Sequence, residues 1–128
     1  MTGTHLLIDI KDVKRNIQGG RGYNMVWSLL NKLPDIIQMT KMDDPKVWEV
    51  KEGLGMDGVS GIVPIKESHI SIHTFSDTGQ VLADVFSCKP FNIKQVVDFF
   101  SLLYGGKLSF RLLDRGIVAM CNKEHFED

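Results

Sequence analysis

The chain has only two cysteines, Cys88 and Cys121, among 128 residues. Two cysteines in a chain of this length do not make a disulfide framework. Both are expected to be reduced thiols, and each reads first as a small buried hydrophobe. No apolar run approaches the roughly 18 residues that would suggest a membrane span. There is no long basic run, and 15 Lys+Arg stand against 16 Asp+Glu. No charge footprint for nucleic acid exists. The opening Met1-Thr2-Gly3-Thr4-His5 lacks a charged region followed by an apolar one. A secretory leader is therefore not expected, and the expected location is the cytoplasm.

Several chemical signatures are missing too. Neither HExxH nor paired CxxC occurs, so no metal site is expected. Ser68 is not in GxSxG, which argues against the strained elbow of an α/β-hydrolase. Gly53, Gly55 and Gly58 do not form GxGxxG ahead of a helix, so they are no dinucleotide loop.

What is present is enough for one core. The apolar fraction is 43%, and a single domain over 1–128 of this size buries roughly two-thirds of its unfolded surface. His5 to Ile10 reads as a strand and Lys11 to Gly22 as a loop. Met25, Val26, Leu29, Leu30 and Leu33 have helical spacing over Tyr23 to Leu33, with Pro34 as a stop. Ile36 to Met42 and Val47 to Lys51 read as strands, and Glu52 to Gly58 as a glycine-rich loop. Val59 to Ile65 is a strand. Ile70 and Ile72 alternate with His69, Ser71 and His73 at period two. After a turn at Asp77-Thr78-Gly79, Gln80 to Cys88 is another strand. A second helix is capped by Asn92 and closed by Gly105, with Ile93, Val96, Val97, Phe100 and Leu103 as its buried stripe. Lys107 to Leu113 and Ile117 to Cys121 form a final hairpin around Asp114-Arg115-Gly116. The class is α+β: a largely antiparallel sheet with two helices on one face. The other face needs a partner, which suggests a homodimer formed sheet to sheet.

Chemistry concentrates between Gly58 and Cys88. By pattern alone, a water-facing strand also alternates Ser, His and Thr with Ile. His69 and His73 would lie roughly 13 Å apart along a strand, too far to be adjacent ligands. The chain carries Gly58-Val59-Ser60-Gly61, Glu67-Ser68-His69, Ile72-His73-Thr74 and Asp84-Val85-Phe86-Ser87-Cys88, in that order. These four linked motifs, with His5-Leu6-Leu7 at the start, resemble the prokaryotic short-chain S-adenosylmethionine decarboxylase family.

The resemblance implies a proenzyme that cuts itself between Glu67 and Ser68 into residues 1–67 and 68–128. Ser68 becomes a pyruvoyl group, the cofactor, which forms a Schiff base with the substrate amine. It implies that His73 and Ser60 assist processing and that Cys88 is the proton donor in decarboxylation. Glu67 is the neighbour of the cleaved bond, His69 is structural and Cys121 is packing. The implied product is decarboxylated S-adenosylmethionine, the aminopropyl donor for polyamine (spermidine) synthesis. Three positions depart from the family. Around Gly53-Leu54-Gly55-Met56-Asp57 there is no aromatic to stack on adenine, so Leu54 stands in that place. Asp77 stands where the family usually has Glu for the ribose hydroxyls, and Phe75 where it more often has Trp. The departures keep open a different amino-acid substrate, such as arginine or ornithine, on the same scaffold. A third alternative is an unprocessed, non-catalytic homologue.

Overall fold

The computed structural model describes residues 2–116. Its elements are β1 (Thr2–Lys11), α1 (Gly19–Ile36), β2 (Lys46–Val50), β3 (Gly58–Ile65), β4 (Ser68–Phe75), β5 (Gln80–Ser87), α2 (Ile93–Tyr104) and β6 (Lys107–Gly116). The strands form one sheet in the order β2-β3-β4-β5-β1-β6. Every neighbouring pair is antiparallel. The α+β class is therefore as expected.

Alternation along the strands separates two faces. Leu6, Ile8 and Ile10 of β1, Val59, Val63 and Ile65 of β3, Ile70 and Ile72 of β4, and Val81 and Val85 of β5 are buried. They pack with Val26, Leu29, Leu30 and Leu33 of α1 and Val96, Phe100 and Tyr104 of α2. α1 lies close on β3 because residue 61 is glycine. A Cβ there would meet Leu30 Cδ1 and Val26 Cγ1 at 2.7 Å each. Asn92 caps α2 by accepting the Gln95 N–H at 3.0 Å, and Gly105 closes it with φ of 65°.

The other face carries His5, Leu7, Asp9, Ser60, Ile62, His69, Ser71, His73, Leu82, Asp84 and Phe86, aligned by register across β1, β3, β4 and β5. No helix among the described residues covers it. Trp48, Ile62, Leu82 and Leu113 are exposed there.

Four local expectations change. α1 begins at Gly19 and passes through Pro34 to Ile36. Proline mainly harms a helix interior, and Pro34 sits buried in the last turn. Residues 36–42 are not a strand: Gln38 at φ of 59° reverses the chain, and only Lys41 bridges to Ile65. Buried Ile37 and Met39 imitate strand alternation. In α2, Tyr104 joins Val96 and Phe100 as fully buried, while Ile93 and Leu103 pack partly buried against the core. Finally, Asp114-Arg115-Gly116 is not a turn but the end of β6, which pairs with all ten residues of β1. The expected strand Ile117–Cys121 and the packing role of Cys121 lie outside the described residues.

Candidate active site

The turn between β3 and β4 consists of Lys66 and Glu67 alone, since Ile65 pairs with Ser68. Two-residue hairpin turns normally need positive φ at one or both central residues, hence glycine or asparagine. Neither Lys66 nor Glu67 has positive φ. The unusual conformation falls instead on Ser68, at φ of 151°. That region is close to glycine-only, and a serine held there is strained.

The turn is tied down on its N-terminal side. The Lys66 N–H donates to the Thr40 carbonyl at 2.9 Å and the Cys88 N–H to the Glu67 carbonyl at 3.0 Å. The Thr40 N–H donates to Glu67 Oε1 at 3.3 Å. Ser68 and Cys88 line one cleft of about 290 Å³ with Thr2, Gly3, Phe86 and Arg115. Gly3 makes room for its floor, because a Cβ there would come within 2.9 Å of the Phe86 ring.

Beside that cleft lies a polar cluster on three adjacent strands. Asp84 accepts from Ser71 and lies 2.5 Å from His5 Nε2 and 3.4 Å from His69 Nε2. Arg115 Nη1 is 3.2 Å from His5 Nδ1. An arginine can only donate, so Nδ1 accepts and the His5 proton sits on Nε2, aimed at Asp84. The Arg115 guanidinium also lies 4.6 Å over the Phe86 ring. Burial pushes the Asp84 carboxyl upward, but the Ser71 and His5 hydrogen bonds and the nearby His69 outweigh it and hold Asp84 below its ordinary value. His5, His69 and Asp84 are also the group among the described residues with ligand atoms close enough for a metal ion, within 4.8 Å of one another. With the His5 proton on Nε2, they form a hydrogen-bonded cluster rather than a ligand set.

Ser60 and His73 form a second centre. They are direct cross-strand partners, with Ser60 Oγ 2.9 Å from His73 Nδ1, and His73 is exposed. His73 lies five steps along β4 from Ser68, roughly 17 Å at strand rise. Asp77 lies beyond, in the β4–β5 turn, and lines a cleft of about 240 Å³ with Gln18, Gly19, Glu49, Gly53 and Asp57. The loop that carries Leu54 is held by Asp57 Oδ1, which accepts from the Glu52 and Gly53 N–H groups at 2.7 and 2.6 Å. Leu54 itself is 99% exposed.

Within the chain the structure thus brings together Ser68, Glu67 and Cys88. It separately groups Ser60 with His73 and brings Asp77 to the foot of the Leu54 loop. It does not bring Ser60 or His73 to Ser68. Sequence reasoning missed Arg115 and His5 as neighbours of the Ser68 cleft, and Asp57 as the clasp of the Leu54 loop. An aspartate just before glycine in a glycine-rich loop was a usable signal for the last.

Comparison with known proteins follows the same lines. The family model described as S-adenosylmethionine decarboxylase matches residues 4–116. An S-adenosylmethionine decarboxylase proenzyme of Archaeoglobus fulgidus is 33% identical over 88 residues, 69% of this chain and 72% of the relative. One of Thermoanaerobacter sp. is 34% identical over 88 residues, 67% of this chain and 64% of the relative. The crystal structure of the adenosylmethionine decarboxylase from Aquifex aeolicus shares the fold, with a TM-score of 0.67 at 20% identity over 89% of this chain and 90% of the other.

Proposed function

This chain belongs to the S-adenosylmethionine decarboxylase family, and from that premise we propose that it decarboxylates S-adenosylmethionine with a pyruvoyl group it makes from Ser68. The observation that carries the proposal is the convergence at one bond. The strained Ser68, the tight Lys66-Glu67 turn and the Cys88 N–H on the Glu67 carbonyl all meet there.

Ser68 Oγ attacks the Glu67 carbonyl carbon. The Cys88 N–H, already on that carbonyl oxygen, stabilises the oxyanion that develops. The C–N bond breaks, the proton of Oγ passes to the Ser68 nitrogen, and the peptide becomes an ester. A base then removes the Ser68 Cα proton, the Cβ–Oγ bond breaks, and Glu67 leaves as a carboxylate. The dehydroalanine left behind tautomerises, and water releases ammonia to leave the keto group. Residues 1–67 and 68–128 are then two chains. Once formed, the pyruvoyl group supplies a ketone that condenses with the substrate amine and a neighbouring carbonyl that takes up electrons as carbon dioxide leaves. Cys88, in the same cleft, returns a proton to the substrate carbon.

His73, with Ser60 fixing its ring, is the base for the elimination; a histidine titrates in the range that suits this role. It serves a second copy of the chain, because roughly 17 Å of strand separates it from its own Ser68. A homodimer packed open face to open face about a two-fold axis lays the Ser60–His73 end of one copy over the Ser68–Cys88 end of the other. Such packing also covers Trp48, Ile62, Leu82 and Leu113. Each cleft alone is smaller than the roughly 300–1,000 Å³ of ordinary ligand sites, which suits two half-sites. Asp77 then holds the ribose hydroxyls, and Leu54 lies against the adenine.

The test is a denaturing gel with mass spectrometry. The purified protein is expected as two fragments, the second beginning with a pyruvoyl group, and Ser68→Ala as one chain of 14.4 kDa. A wild-type protein that stays intact with an unmodified Ser68 would sink the proposal. The bare Leu54 loop favours one second reading, a smaller amino-acid substrate. Carbon dioxide release from ornithine or arginine, with none from S-adenosylmethionine, would establish it.

A further inference from the structure

Resting on the reading that the Glu67–Ser68 bond breaks itself, we infer that Asp84 is a positioning residue for that cleavage. It acts through His69, holding the backbone just beyond Ser68 so that the serine cannot relax out of its strained conformation.

Strain does no chemical work unless both sides of the strained residue are held. The N-terminal side is held by the Cys88, Lys66 and Thr40 hydrogen bonds at the turn. On the C-terminal side, Ser68 is the first residue of β4, paired with Ile65 and Ser87, and the last pairs of a ladder open most easily. The side chain of the next residue, His69, adds an anchor to that end. Its ring reaches diagonally to Asp84 Oδ2 at 3.4 Å and leans on the Phe86 ring at 5.9 Å between centroids. Asp84 is itself fixed by Ser71 and His5, and His5 by Arg115. The chain of contacts runs from β6 through β1 and β5 to His69, the residue after Ser68. It touches no reacting atom, so its effect is confined to the first step. There Ser68 Oγ displaces its own nitrogen from the Glu67 carbonyl, with the Oγ proton passing to that nitrogen.

The experiment follows freshly purified full-length protein on denaturing gels. Asp84→Asn is expected to slow fragment formation by about ten- to a hundredfold, the rate equivalent of strain of this kind. Hydroxylamine, which cuts esters, is expected not to release fragments from it, because the ester has not formed. His69→Ala should behave alike, while His69→Gln, which keeps a donor at the ring-tip position, should cleave near the wild-type rate. Thermal melting in a Ser68→Ala background is expected to be the same with and without Asp84→Asn. Four results would overturn the inference: wild-type cleavage by Asp84→Asn or His69→Ala, fragments released from Asp84→Asn by hydroxylamine, a His69→Gln as slow as His69→Ala, or a melting loss in the uncleavable background. If Asp84→Asn does not fold, the two His69 variants decide. A wild-type protein that never cleaves would sink the self-cleavage reading itself.

Discussion

The two ends of the open sheet face are built from different materials. At the Ser68 end the parts given a role in the proposal are largely main chain: a two-residue turn without glycine, a φ of 151° at Ser68, and the Cys88 N–H on the Glu67 carbonyl. At the other end they are side chains on regular ladder positions, Ser60 beside His73, with Asp77 in the next turn. An end made largely of backbone should still cleave when the Cys88 side chain is lost and the Cys88 N–H stays in place. An end made of side chains should fail when one imidazole is lost.

The sharpest way to break that comparison is to divide the ends between two chains. His73→Ala alone should process about 10²–10⁴ times more slowly, the usual worth of a positioned base. Co-expressed with Ser68→Ala, which cannot cleave, the His73→Ala chain should again be cut, because in the proposed dimer its Ser68 would meet an intact His73. Mass spectrometry of the mixed product reads this directly. Absence of cutting would mean that each chain processes with its own residues.

Cys88 tests the other end, since it contributes both kinds of group. Cys88→Pro removes the N–H and should slow cleavage by about 10²–10³, the cost of an oxyanion donor. Cys88→Ala keeps the N–H, so it should still cleave, while carbon dioxide release per processed chain falls by about 10²-fold or more. Equal cleavage by the two variants would remove the backbone from the argument. The smallest effect is expected at the loop. Leu54→Phe restores a flat surface worth about 0.5–1.5 kcal/mol, and should lower the KM for S-adenosylmethionine a few-fold with kcat unchanged.

How far the fold was legible followed from how local its signals are. The strands from Val59 to Ser87 follow period-two alternation, and α2 announces itself through Asn92 and Gly105. Residues 36–42 misled because Ile37 and Met39 bury themselves without a ladder. The end of β6 misled because Asp-Arg-Gly reads as a turn, whereas the ten partners offered by β1 extend the strand through it. For the site, Ser60, Ser68, His73 and Cys88 were singled out through linked motifs, not through geometry. Strand spacing by itself sets Ser68 and His73 roughly 17 Å apart. It could not show that His5 and Arg115, 110 residues apart, meet beside Phe86.

The sheet order has a consequence for the matured protein. If the chain divides after Glu67, strands β1, β2 and β3 belong to one fragment and β4, β5 and β6 to the other. In the sheet, however, β1 lies between β5 and β6, and β3 lies against β4. Ownership is interleaved, with three strand-to-strand seams joining the fragments. Neither piece retains a complete sheet by itself, so the two cannot trade partners with those of another molecule without unfolding. Each pair made by that cut would remain a lineage of one, descended from the single chain that folded before it was cut.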